Sequence, residues 1–242
     1  MRCSFAFLLL FFVFAGANET EFAYAVNKSP EKWDFSANIG LNIGGTMPFP
    51  LPSTIIKIKN YNPLFPALSS KFEMLHKPNG ISVGAQLERK GMETTAKVKE
   101  YQINFGNFKG KFNGQVDTKM SAIYLGVPIK KHFAVSDYFS LNAGAFVTWM
   151  LSGEFTGAVR DGKLNDGFSN PLIAREEYDF SNQMNKLDWG ATAGIKSAPF
   201  FERFIVSFDF TYGIASVFET GFDGISYDMQ NIYANLSVGY LF

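Results

Sequence analysis

The chain has 242 residues, with 22 Lys and Arg against 22 Asp and Glu, and 17% of it is aromatic, including 27 phenylalanines. A formal net charge of zero offers no electrostatic pull toward nucleic acid, and the length suits a single β-rich domain. The aromatic load is high for a soluble domain of this size, and a lone cysteine, Cys3, excludes a disulfide framework.

At the start, Arg2 precedes the apolar run Phe5 to Phe14, and two small-x-small sites follow, Ala15-Gly16-Ala17 and Ala23-Tyr24-Ala25. This is the layout of a secretory signal peptide. The run is shorter than the ~20 residues a membrane-spanning helix needs. Residues 1–25 are therefore expected to be removed, with cleavage after Ala17 or Ala25, taking Cys3 with them. No long apolar run follows, which argues against a helical membrane protein.

Alternation follows instead. Trp33, Phe35, Ala37, Ile39, Leu41 and Ile43 interleave with Asp34, Ser36, Asn38, Gly40, Asn42 and Gly44. A period of two means a strand with one apolar face. Eight such segments are expected: 33–44, 65–76, 81–98, 119–131, 138–152, 186–198, 204–218 and 229–242. Short connections fall at Lys77 to Gly80, near Ser136-Asp137 and at Pro199 to Arg203. Long ones fall at 45–64, 99–118, 153–185 and 219–228. Short turns on one rim and long loops on the other are the pattern of an outer-membrane barrel. The expected fold is all-β: residues 26–242 form an eight-stranded antiparallel transmembrane β-barrel with short periplasmic turns and long extracellular loops. Its expected location is integral to the outer membrane, in contact with lipid.

Trp33 opens the first strand, Trp149 ends the fifth and Trp189 opens the sixth, all on the apolar parity. They read as aromatic girdles at the two membrane interfaces. Tyr240 and Phe242 would join the periplasmic girdle, with the last strand closing against the first so that no edge stays open in lipid.

On the polar parity lie Lys71, Glu73, Glu88, Lys130, Asp188, Lys196 and Asp209, expected to point into the lumen. A barrel of eight strands is just wide enough for side chains to fill. Paired charges holding it rigid are the simpler reading, an ion path the other. His76 and His132 map to periplasmic strand ends, away from any surface substrate, so no catalytic, cofactor-binding or metal-binding residue is assigned, and no cofactor is expected. The acidic stretches Asp161 to Gly167 and Glu219 to Gly224 read as exposed turns; Lys163 stands where a calcium loop needs an oxygen ligand.

In TMPFPLPSTIIKIKNYNPLFP, Pro48, Pro50 and Pro52 stiffen a loop whose Phe49, Leu51, Ile55, Ile56 and Ile58 are too apolar for solvent. It is expected either to fold over the barrel mouth as a lid or to dock on a partner protein.

Several pieces in order, NIGLNIGG, GISVGAQLERKG, IYLGVPIKK, FSLNAGAFVTWML, DWGATAGI, FDFTYGIASVF and the closing VGYLF, resemble the PorT-like outer-membrane β-barrel family of Bacteroidota-type bacteria. The resemblance implies a non-enzymatic barrel with a structural or accessory role supporting protein secretion. It also implies recognition by barrel-insertion machinery during assembly, through Asn235, Tyr240 and Phe242; Ser237 stands where that signal usually has glycine. Surface binding or adhesion through the loops is the alternative function. A soluble lipocalin-like binder, with the apolar parity turned inward, is the third.

Overall fold

The computed structural model describes residues 32–63, 67–106, 108–165, 171–225 and 227–242. The expected signal peptide and the start of the second strand at Phe65 lie outside the described residues. Among the described residues ten strands form: β1 (Trp33–Pro48), β2 (Ile55–Pro63), β3 (Leu68–His76), β4 (Ile81–Phe105) and β5 (Phe108–Ala134). They continue with β6 (Phe139–Asn165), β7 (Leu172–Asp179), β8 (Leu187–Ser197), β9 (Phe204–Gly213) and β10 (Met229–Leu241).

Eight of them close a ring, β1-β3-β4-β5-β6-β8-β9-β10, with every neighbour antiparallel. Closure runs from Ser36 opposite Leu241 to Pro48 opposite Met229. In hydrocarbon no water replaces a missing partner, so a closed ring is the one sheet that satisfies all its backbone groups. The turn at Lys77 to Gly80 falls where expected, with Gly80 at φ 62° supplying the left-handed residue that reverses the chain.

The expected eight-strand barrel is present, but three of its long connections are not loops. Most of 99–118 belongs to β4 and β5, which run on to Phe105 and Phe108 around a tight turn at Gly106. Residues 153–165 extend β6, and the stretch Asp161 to Asn165, expected as a turn, is strand. The remaining two strands lie inside the other expected loops. β3 pairs with β4 as far as Ser69 opposite Glu88, and β2 takes up the same edge of β4 from Met92 to Val98. β8 leaves β6 at Trp149, and β7 takes up that edge from Thr156 to Lys163. In the other direction β9 ends at Gly213, short of the expected Phe218.

Five strands, β2-β4-β5-β6-β7, thus rise as a continuous wall above the barrel. From Ile123 to Phe108, β5 covers roughly 50 Å of strand, about 40 Å of height at the tilt usual for such barrels.

The two halves have opposite polarity. In the lower half, outward residues are apolar: Ile39, Phe72, Leu87, Val127, Val147, Phe208 and Val238 are all exposed. Inward residues there are polar and buried, among them Asn38, Gln86, Asn142, Thr192 and Asn235. This rules out the lipocalin-like arrangement, which needs the apolar parity inside. In the upper half the interior is apolar. Met92, Val98, Tyr101, Phe112, Met120, Phe155, Val159 and Ile173 pack into one cluster closed by Phe180, Val217 and Phe218. Its aromatic rings meet edge to face, Phe155 with Phe218 at 4.8 Å and Phe180 with Phe222 at 5.0 Å, the arrangement that ring quadrupoles favour.

Candidate functional site

All seven charges expected in the lumen point there. Lys130 Nζ donates to Asp209 Oδ1 at 2.9 Å, and Lys71 reaches Asp209 at 3.2 Å and Glu88 at 3.9 Å. Lys196 Nζ donates to Glu73 Oε1 at 2.6 Å. One further cation was missed. Lys90 is 1% exposed, lies 3.5 Å from Glu88 and 3.6 Å from Asp188, and sits over the rings of Tyr124, Phe146 and Tyr233. The signal was available, because Lys90 shares the parity of Glu88 within a predicted strand. Neutral side chains complete the network: Asn235 Nδ2 donates to Asn42 Oδ1 at 2.8 Å and to Ser69 Oγ at 2.7 Å.

Of the two histidines, His76 packs its ring 4.4 Å from that of Trp33 at the lower rim. His132 points inward, with its Nε2 2.8 Å from Ser82 Oγ and 3.9 Å from Glu73 Oε1. A serine, a histidine and a carboxylate in contact suggest a nucleophile and its base. In a working triad, however, the carboxylate holds Nδ1 while the serine meets Nε2. Here both approach Nε2, and His132 Nδ1 is buried without a partner. The void beside His132 measures about 20 Å³, room for about one water. The described side chains pack this level of the lumen as an ionic core.

Among the described residues no group of three or more His, Cys, Asp or Glu is arranged to hold a metal ion. Asp161 accepts from Gln115 Nε2 at 2.9 Å, and Asp223 accepts from Asn104 Nδ2 at 2.5 Å. Both acidic stretches are tied into the wall.

The proline-bearing segment does not form the lid. Among its described residues only Ile55 turns onto the apolar cluster, while Thr54 Oγ1 meets Tyr227 OH at 2.9 Å. Phe49, Leu51, Ile56 and Ile58 remain exposed, Ile56 at 54%. Backbone pairing to β4 explains this: it fixes β2 upright in the wall rather than across the mouth. The mouth is covered instead by 214–225, through Val217, Phe218 and Phe222.

The outward face changes character at one level on three adjacent strands. Leu87 gives way to Arg89 on β4, Ile123 to Ser121 on β5, and Leu151 to Ser152 on β6. Trp149 and Trp189 stand just below on neighbouring strands, and Trp33 is at the opposite rim, all outward. These are the girdles, and they set the membrane edge. Above it, Asp117 is the hub of the outer face. Thr95 Oγ1 donates to its Oδ1 at 2.7 Å, and Arg160 donates through Nε to Oδ2 at 2.6 Å and through Nη2 to Oδ1 at 3.3 Å. Partial burial works against ionisation, but these bonds hold the Asp117 carboxyl below its ordinary value.

No curated protein matches the chain. Among solved structures it is similar to Ail, the attachment invasion locus protein of Yersinia pestis, with 14% identity and a TM-score of 0.42. That alignment covers 88% of this chain and 100% of that one. It is also similar to Ail in complex with the heparin analogue sucrose octasulfate, at 15% identity and a TM-score of 0.40, with the same coverage. Residues 20–219 match a family described as outer membrane protein beta-barrel domain. With a closed eight-stranded ring, an apolar lipid face and a polar packed lumen, the chain belongs to that family and is an integral outer-membrane protein.

Proposed function

We propose that the chain is a non-enzymatic surface-binding protein in which the barrel is the anchor and the five-stranded wall is the binding element. The observation that carries this is β2. Among the described residues it pairs only with β4 and leaves its other edge open, with Ile56, Ile58 and Tyr61 exposed along it. An open edge that carries exposed apolar residues can pair with another chain, and Lys57 and Lys59 on the same strand restrict which partner it accepts. The wall behind it has its own hydrophobic core, so the edge is presented rigidly above the membrane.

The PorT-like resemblance supports a second role, as an accessory of a protein-secretion apparatus. Tyr240 and Phe242, whose rings meet at 5.4 Å at the end of the last strand, support recognition by insertion machinery during assembly. One experiment separates the two roles. A photoreactive residue is placed at Ile58 or at Val135, an exposed residue of the lower rim, and intact cells are irradiated. Surface binding predicts adducts with extracellular protein at Ile58 and none at Val135. Adducts confined to Val135 and periplasmic partners would replace the surface-binding role with the secretion one.

A further inference from the structure

Above the membrane edge the outer face of the wall holds an open groove of about 630 Å³ that crosses β4, β5, β6 and β7. Its floor is low because Ala158, the outward residue of β6 at that level, carries only a methyl group and is buried, while the neighbouring Gly157 faces the interior. Gly157 must be glycine: a Cβ there would collide with the Asp117 carbonyl and the Tyr178 hydroxyl.

The polar groups along it are fixed. Arg160 is forked onto Asp117, and Arg175 donates through Nε and Nη2 to Glu177 Oε1 at 3.3 and 3.1 Å. Arg160 and Arg175 are also direct partners across β6 and β7. Each guanidinium is already paired with a carboxylate, Arg160 with Asp117 and Arg175 with Glu177, so the groove presents balanced charge rather than a bare cationic site. Alternating carboxylates and guanidiniums suit vicinal hydroxyls, each of which donates and accepts at once.

Location limits what can occupy the groove. Asp117 stands three outward positions beyond Ile123 on β5, roughly 15 Å above the apolar band at the usual rise and tilt. The face points sideways along the membrane plane. What lies against it at that height is the first part of the outer-leaflet glycolipid headgroup, which carries both sugar hydroxyls and phosphate or carboxylate groups.

We infer that this groove binds the core saccharide of the outer-leaflet glycolipid through its sugar hydroxyls, so that the wall is braced laterally by its own membrane. The inference goes beyond the surface-binding role and does not rest on it, because the open edge of β2 lies outside the Arg160–Arg175 part of the groove.

The test uses the full chain in three bilayers: phosphatidylethanolamine alone, the same with lipid A lacking core sugars, and the same with lipopolysaccharide bearing a phosphorylated inner core. Amide hydrogen exchange is followed over 115–121 and 154–160. Exchange should slow at least several-fold only in the third bilayer. The slowing should disappear in the double variant Arg160→Gln, Arg175→Gln, and in Ala158→Leu, which fills the floor but keeps every ion pair. Equal slowing with lipid A alone, unchanged slowing in Ala158→Leu, or slowing produced only by an added soluble protein would overturn the inference.

Discussion

Lys90 and Met92 are consecutive inward residues of β4, both almost wholly buried, yet they belong to different interiors. Lys90 lies in the ionic lumen with Glu88 and Asp188, whereas Met92 lies in the apolar cluster of the wall. On the outer face the opposite exchange occurs at nearly the same level, from Leu87 to Arg89. One continuous strand thus obeys the rules of lipid below this level and those of water above it.

Lys90 is the upper cation of the lumen, and its removal leaves Asp188 without a cation among the described residues and Glu88 with Lys71 alone, 3.9 Å away. Lys90→Met should cost about 3–5 kcal/mol, because breaking a buried ion cluster leaves uncompensated charge. Adding Glu88→Gln and Asp188→Asn should recover much of that loss. Urea unfolding in lipid vesicles measures both; a single variant as stable as the parent would mean that the cluster is not intact in the bilayer.

Outward residues should respond to charge by height alone. Phe208→Arg or Val147→Arg, within the apolar band, should cost roughly 2–4 kcal/mol in a bilayer. Thr156→Arg, on the outward parity of β6 but above the edge, should change stability by less than about 0.5 kcal/mol, as surface substitutions usually do. Vesicle unfolding of the three variants checks the contrast.

The wall should lose stability without the barrel. Phe155 is fully buried among Phe180 and Phe218, and Phe155→Ala should cost about 3–5 kcal/mol. Hydrogen exchange should accelerate in β7 and around Val217 to Phe222, while β1, β9 and β10 keep their protection. Uniform acceleration through all ten strands would mean that wall and barrel unfold as one unit.

Acid should loosen the wall through Asp117. Its folded-state carboxyl lies below the ordinary value, so its stabilising contribution is complete above the unfolded value of about 4 and is lost as pH falls below that. Arg160, Thr95 and, from the next strand, Arg175 set this shift against the opposing effect of burial. Exchange in 115–121 should rise below about pH 4 in the parent, and Asp117→Asn should be loose at neutral pH and flat with acid.

The lower half was legible in the sequence because lipid imposes a strict period of two with one apolar parity. Each expected strand, each tryptophan and each lumen charge followed from that parity. The upper half was obscured by the same rule. Beyond Leu87 β4 stops presenting apolar residues outward, and three bulges, at Val98/Tyr101 between β4 and β5 and at Ile123/Tyr124 and Asn113/Gln115 between β5 and β6, shift the parity. A reader tracking one apolar face therefore finds loops where the strands have merely exchanged faces. Tyr101, Ile103, Phe112, Val116 and Met120 carried the missing signal, since together they line the inside of the β4–β5 wall. The open edge of β2 depends on which strand fails to reach it, and single-strand patterns do not encode that.

The direct test of a barrel that becomes a water-exposed wall is a nitroxide scan of outward positions on β5, from Ile129 through Val127, Leu125, Ile123, Ser121 and Lys119 to Asp117, in lipid vesicles. Accessibility to oxygen should dominate from Ile129 to Ile123, and accessibility to a water-soluble nickel chelate should take over from Ser121 onward. Oxygen-dominated relaxation persisting to Asp117 would place the wall in lipid and contradict the account.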